Sequence, residues 1–290
     1  MHRLPQHRPR GARRGGGGEM IPATFTYRRA ESADQAIELV AEHGDEAKLL
    51  AGGHSLLPLM KLRLAVPEVL VDIGRIRDLS YVRDGGDHIA IGALTRHAEL
   101  ERSELLSREL PLLAYSAGQV GDPQVRHRGT IGGSLAHGDP ASDLPAVVLA
   151  LDATLVARGP NGTREFPASE FFHGLWETAL EPDELLTEIR IPKPAASGWS
   201  FQKFTKRAID WAIVGVAVQG DAVALINMGA TPLRATAVEQ ALAAGTPVPE
   251  AARLAAEGTE APGDLNASPA YREHLTRVLV RRALEESRAR

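Results

Sequence analysis

Two short runs decide how this chain is read: Ala51-Gly52-Gly53-His54-Ser55-Leu56 and Thr130-Ile131-Gly132-Gly133-Ser134. Lys48-Leu49-Leu50-Ala51 ahead of the first reads as a buried strand, and Leu56 to Leu62 behind it as a helix. Two glycines and a hydroxyl therefore stand at a strand-to-helix turn. Glycine accepts positive φ and lets the backbone come close to a ligand. Successive N–H groups at a helix start form an anion cradle that the helix dipole reinforces, and Ser55 would add a hydroxyl donor. Taken alone, this loop reads equally well as a tight turn with no ligand. It is neither a Walker loop, since no Gly-Lys-Ser/Thr follows, nor a G-x-G-x-x-G fingerprint. The second run lies inside Gly118 to Asp143, a stretch rich in Gly, Asp, Pro and His that reads as one long loop, and loops of that length in compact domains usually serve function. His137, Asp139, Pro140 and Asp143 follow it. Asp143 stands at a helix start, where it would serve as a cap or accept hydrogen bonds from a ribose or ribityl hydroxyl. A dinucleotide has two linked phosphates, which two glycine cradles on adjacent domains would grip from both sides. Neither cradle brings a Lys or a magnesium ligand, so a hydrolysable triphosphate fits poorly.

Outward from these runs the chain divides into α/β units. In the first, Phe25-Thr26-Tyr27 is a strand, Ser32 caps a helix with Gln35 at the capping-box position, Gly44 ends it, and Val69 to Ile73 is a further strand. In the second, His88 to Gly92 is a strand and Thr95 starts a helix carried by Ala98, Leu100 and Leu105. Leu110 to Ala117 and Pro145 to Leu149 are helices, and Ala153 to Ala157 pairs with Gly162 to Phe166 as a hairpin. In the third, Leu186 to Ile191, Ser200 to Lys206 and Ala222 to Met228 are strands, the apolar run Trp211 to Val218 is helical, and helices close the chain.

Composition sets the limits. With 290 residues, 43% hydrophobic, the chain has ample material for a buried core. No apolar run approaches the ~20 residues of a membrane span. The absence of cysteine excludes disulfides, a thiolate zinc site and a cysteine-ligated iron–sulfur cluster on this chain, and it suits a reducing cytosol. The ten histidines show no H-E-x-x-H or other compact ligand spacing, so no metal site is expected. Residues 1–19 hold five Arg and one acid with almost nothing apolar, and are expected to be a disordered or non-native extension ahead of a start at Met20. They lack the apolar core of a secretory signal. Without them 28 basic and 36 acidic residues remain, a net of −8, which gives no electrostatic case for nucleic acid.

These residues resemble a known family. The runs Ala51 to Leu56 and Thr130-Ile131-Gly132-Gly133-Ser134-Leu135-Ala136-His137-Gly138-Asp139-Pro140-Ala141-Ser142-Asp143 look like the paired flavin motifs of the FAD-binding medium subunit in the aerobic carbon monoxide dehydrogenase and xanthine dehydrogenase family of molybdenum hydroxylases. Ile21-Pro22-Ala23-Thr24-Phe25 resembles the family's start and Val125 to Thr130 its lead into the second motif. Lys203-Phe204-Thr205-Lys206-Arg207 with Asp210-Trp211-Ala212 is similar to its segment near the flavin ring. Asp264 to Ser268 with Tyr271-Arg272 resembles its C-terminal domain. The resemblance runs from Met20 to about Glu286.

The resemblance implies an α+β fold: a two-subdomain FAD-binding fold of the PCMH type, as in vanillyl-alcohol oxidases, plus a C-terminal α+β domain with an antiparallel sheet. The expected division is residues 20–76 and 77–182 for the FAD-binding subdomains and 183–290 for the C-terminal domain. The implied activity is that of a cytoplasmic oxidoreductase subunit that takes electrons from a [2Fe-2S] subunit to FAD and on to an external acceptor. A small iron–sulfur subunit and a large molybdopterin subunit would be its partners, as a dimer of heterotrimers, with [2Fe-2S] and molybdopterin on those chains. Carried over residue by residue, Ala51, Gly52, Gly53, His54, Ser55, Leu56, Thr130, Ile131, Gly132, Gly133 and Ser134 would meet the pyrophosphate and Asp143 the ribityl or ribose region. Leu180, Lys203 and Trp211 would lie near the isoalloxazine, where a Lys would favour negative charge on the ring. Lys203 read as a solvated surface charge, and Trp211 read as core, are the plainer assignments. No residue is expected to be catalytic in its own right. Two other readings remain at this stage: a stand-alone flavin oxidase with flavin attached at His54, and a non-catalytic nucleotide-binding protein whose glycine loops are turns.

Overall fold

The computed structural model describes residues 21–195 and 198–290; the expected extension at residues 1–19 lies outside them. Three main sheets organise the chain. The first is parallel, with Val69–Asp72 between Thr26–Arg29 and Ala47–Leu50. Val69, Leu70 and Val71 are buried, as a central parallel strand requires. Helix Ala33–His43 lies beside it, burying Ala36, Ile37 and Val40. Ser32 Oγ accepts from the Gln35 N–H, and Gln35 Oε1 accepts from the N–H of Glu31, so the capping box closes one residue earlier than its usual form. Gly44, at φ +52°, takes the chain out of the helix.

The second sheet is antiparallel, in the order Val82–Asp84, His88–Gly92, Leu185–Pro192, Thr154–Gly159, Gly162–Pro167. Leu185–Pro192 sits in its middle. The division expected at residue 183 therefore cuts a sheet, and the unit ends beyond Pro192. Sequence reasoning assigned this strand to the third unit because it follows the hairpin after a long gap, and a return to the sheet centre leaves no local signature.

The stretch Gly118 to Asp143 is also not one loop. It holds the helices Pro123–Arg128 and Ile131–His137. Asp122 and Thr130 cap them, each accepting from the N–H three residues on, and Pro123 presets the first turn. Two glycines weigh against a helix at 131–137; packing and hydrogen bonds to a neighbouring turn offset that cost.

The third sheet, Trp199–Phe204, Val214–Gln219, Ala222–Ile226 and Leu233–Arg234, is antiparallel throughout. The expected helix over Trp211 to Val218 is thus a strand. Every residue of Val214–Gln219 is buried, so the run is apolar on both faces and shows no period-2 alternation by which to recognise it. Val214, Val216 and Val218 join the core beneath helix Pro269–Ala289, while Ala217, Ala224 and Ile226 join the core of the second unit. Small residues on that second face let helix Asp143–Ala150 pack on the sheet. Arg272 is buried and ties the third unit together, donating to Ile213 O and, at 2.7 Å, to Asp264 Oδ2.

Candidate functional site

The two glycine runs meet. A Cβ on Gly52 would stand 2.4 Å from Arg128 O and 2.9 Å from Gly129 Cα, and one on Gly133 would stand 3.9 Å from Ala51 Cβ. Gly53 is at φ +80°, where a side chain is strained. Behind the first run, Ile73 N–H donates to Leu50 O and Gly74 N–H to Asp72 Oδ1. Gly74 itself passes close to Ala51 O. The run is thus pinned from both sides by backbone.

Its own N–H groups are open. Among the described residues, none of the N–H groups of Gly52, Gly53, His54, Ser55 and Leu56 donates to the protein. The hydroxyl of Ser55 makes no cap bond either. Backbone donors need partners, and here five in succession have none, with glycine where a Cβ would intrude. The second run differs. Ile131 N–H donates to Thr95 O at 3.0 Å, Gly132 N–H to Ala93 O at 2.8 Å, and Gly133 N–H to Thr130 Oγ1 at 3.1 Å. A Cβ on Gly132 would stand 2.5 Å from Ala93 Cβ. The expectation of a second N–H cradle is therefore corrected: these glycines let the helix start seat on the turn Gly92–Thr95, which satisfies the donors of Ile131 and Gly132, while the Thr130 hydroxyl satisfies that of Gly133. What the run still offers outward is the half-buried Ser134 hydroxyl.

The remaining expected residues divide. Asp143 and Lys203 come together: Lys203 Nζ lies 2.7 Å from Asp143 Oδ2 and 3.0 Å from Gln119 O. Lys203 is 10% exposed, so it is no solvated surface charge. Burial pushes the Asp143 carboxyl up to about 6, with Lys203 pulling the other way, and Asp143 Oδ1 has no partner. Leu180 packs half-buried on the second core. It follows the hairpin Phe172–Gly174 and Glu177–Thr178, where the Thr178 methyl would stand 3.0 Å from a Cβ on Gly138, the residue that ends helix Ile131–His137. Trp211 is 58% exposed beside an equally exposed Ile209, which corrects its reading as core. His54 is exposed.

Sequence reasoning missed two features. The turn Ala93-Leu94-Thr95 carries the acceptors for Ile131 and Gly132; its signal was Gly92, where a Cβ would stand 2.3 Å from Leu79 O. His97 is 4% exposed, with Nδ1 unpartnered and its ring against Gly129. Burial first, then the nearby His54 and Arg126, hold it down at about 4, so it is neutral. An isolated His in a helix pattern gives no warning of this.

The residues present fit a dinucleotide with a hydroxylated linker. A run of open N–H groups suits linked phosphates, and an unpartnered buried carboxylate oxygen suits a hydroxyl. Comparison with known proteins gives the class: residues 23–194 match the FAD binding domain in molybdopterin dehydrogenase, and residues 199–287 the carbon monoxide dehydrogenase flavoprotein C-terminal domain. The chain is 42% identical over 285 residues to the carbon monoxide dehydrogenase medium chain of Hydrogenophaga pseudoflava, covering 93% of this chain and 99% of that one. It is 38% identical to the 6-hydroxypseudooxynicotine dehydrogenase complex subunit alpha of Paenarthrobacter nicotinovorans, over 92% and 96%. The solved structure of the Hydrogenophaga pseudoflava enzyme lacking the Mo-pyranopterin moiety superposes with a TM-score of 0.89 at 43% identity, covering 93% of this chain and 99% of that one. The chain belongs to the family of FAD-binding medium subunits of the carbon monoxide dehydrogenase and xanthine dehydrogenase type. It is an FAD-dependent oxidoreductase subunit.

Proposed function

We propose that the open N–H run Gly52–Leu56 holds the FAD pyrophosphate, with the hydroxyls of Ser55 and Ser134 completing the grip. Thr130, Ile131, Gly132 and Gly133 form the wall behind it. Asp143 Oδ1 accepts a ribityl or ribose hydroxyl, and the isoalloxazine lies toward Leu180 and the segment of Lys203 and Trp211. The observation that carries this reading is the five successive unpaired N–H groups at a loop where any side chain on Gly52 would strike Arg128 O. Bound FAD supplies two-electron chemistry and release of electrons to a separate acceptor.

The chain works as the electron outlet of a larger assembly. It receives electrons from a [2Fe-2S] subunit and gives them to quinone or oxygen, while a molybdopterin subunit binds the substrate; the assembly is a dimer of heterotrimers in the cytoplasm. Three features support this. The chain has no cysteine with which to hold a cluster. Among the described residues no helix is long and apolar enough to cross a membrane. Relatives alike over nearly their whole length are named for substrates as different as carbon monoxide and 6-hydroxypseudooxynicotine, as expected if substrate choice lies on another chain. Co-expression with the two partner subunits tests it: the flavin spectrum bleaches on adding the assembly's substrate when the partners are present and stays unchanged with this chain alone. Bleaching of the lone chain by substrate would overturn it.

A further inference from the structure

Lys203 and Asp143 lie on opposite sides of the boundary between the second and third units. Lys203 is on the first strand of the third sheet, Trp199–Phe204; Asp143 opens helix Asp143–Ala150, which packs against that sheet. The ammonium is shared between Asp143 Oδ2 and Gln119 O, and the carboxylate keeps Oδ1 without a partner although Asp143 is 6% exposed. A tie made solely for stability gains nothing from a bare buried oxygen, since an unpaired buried acceptor is costly. We infer that Lys203 is a positioning residue for FAD: it reaches across from the third unit and holds Asp143 as a carboxylate with Oδ1 free for a ligand hydroxyl. This rests on the reading that Asp143 takes a hydroxyl of FAD.

Around Asp143, helix Pro111–Gly118 and the strands Val214–Gln219 and Ala222–Ile226 carry no charged residue; the other elements packed on its helix bring Arg234, which binds Leu149 O at the helix's far end, and Glu170. Helix Ile131–His137 carries His137, whose ring stacks on Trp176. Lys203 is the charge that acts on Asp143. Burial and Lys203 therefore oppose each other there, and without Lys203 burial acts unchecked, so the carboxyl titrates at higher pH. A protonated acid is a poorer acceptor than a carboxylate. Loss of Lys203 should then appear as a displaced pH dependence of FAD binding, rather than as a uniform loss.

The test is titration of the flavin-free full chain with FAD, followed by flavin fluorescence, from pH 5 to 9. The unchanged chain should bind with level affinity above about pH 7 and more weakly below about pH 6. Lys203→Met should bind about tenfold more weakly at pH 7 yet within about twofold at pH 9, as a midpoint moved up to roughly pH 8 requires. Lys203→Arg should restore the original profile. If Lys203→Met melts early, Lys203→Gln, which keeps a donor for Gln119 O, is read in its place. Asp143→Asn should bind weakly with no pH dependence. An equal loss at every pH for Lys203→Met and Lys203→Gln, with Asp143→Asn weakened, would overturn the positioning role alone. An Asp143→Asn chain with the original affinity and profile would overturn the reading of Asp143, and this inference with it.

Discussion

The two glycine runs share their letters and differ in what their backbones do. At Gly52-Gly53 the N–H groups are left without partners; at Gly132-Gly133 the glycines let a helix start press on the turn Ala93 to Thr95, with Ile131 N–H taken up by Thr95 O, Gly132 N–H by Ala93 O and Gly133 N–H by Thr130 Oγ1. One run is a donor surface and the other is the wall it leans on. A Gly-Gly pair signals close approach, but the sequence does not say whether a ligand or the protein's own chain is what approaches.

Variants can break that comparison. The largest effect is expected at Gly132→Val, whose Cβ would collide with Ala93 backbone as well as its side chain. Overpacking of this kind should cost about 3 kcal/mol or more, read as an early thermal transition, with FAD lost because the wall is displaced. A variant of unchanged melting temperature would show that the second run is not the tightly packed partner described above.

His97 sharpens the comparison, because it sits behind Gly129 between the runs. Its folded-state pKa lies below the unfolded value, so the fold holds the neutral ring. Stability is present above about pH 6.5 and is lost as pH falls toward about 4. The loss attributable to it is on the order of 3 kcal/mol. Asp143, shifted up, works in the opposite sense over part of this range, so the measurement is the difference between denaturant unfolding curves of the native chain and His97→Leu at pH 7 and pH 4.5. Equal acid losses in the two would count against a buried neutral His97.

Gly53→Ala separates binding from packing. Positive φ should cost about 1–2 kcal/mol of stability, with contacts to the flexible Leu57 and Leu50 side chains adding little. FAD affinity should fall at least tenfold, well beyond what that change in stability alone implies for a folded chain. The smallest effect is expected at Thr130→Ala, where loss of the cap to Gly133 N–H should cost about 1 kcal/mol and leave FAD affinity within a few-fold. If Thr130→Ala loses FAD more than Gly53→Ala, the roles of the two runs are reversed.

Much of this was legible in the sequence, for physical reasons. The cap at Ser32, the end at Gly44 and the hairpin around Asn161-Gly162 are written in local chemistry, and the structure has them where sequence places them. So is the meeting of the two glycine runs, since both motifs were visible. The strand Val214–Gln219 was not, because burial on both faces erases periodicity. The return of Leu185–Pro192 to the centre of the second sheet was not, because it is decided by contacts far apart in the chain. In the site, Asp143 and Lys203 were each singled out, but their pairing across 60 positions is a tertiary fact. The open state of one backbone and the closed state of the other could not be read at all, since hydrogen bonds to Ala93 and Thr95 leave no mark in the runs themselves.

Residue-resolved amide hydrogen exchange of the full chain, with and without saturating FAD, tests the central claim most directly. The account predicts that Gly53 to Leu56 exchange rapidly without FAD and become strongly protected with it, while Ile131 to Gly133 are slow in both states. Fast exchange at Ile131 to Gly133 that FAD suppresses, with Gly53 to Leu56 indifferent to FAD, would contradict it.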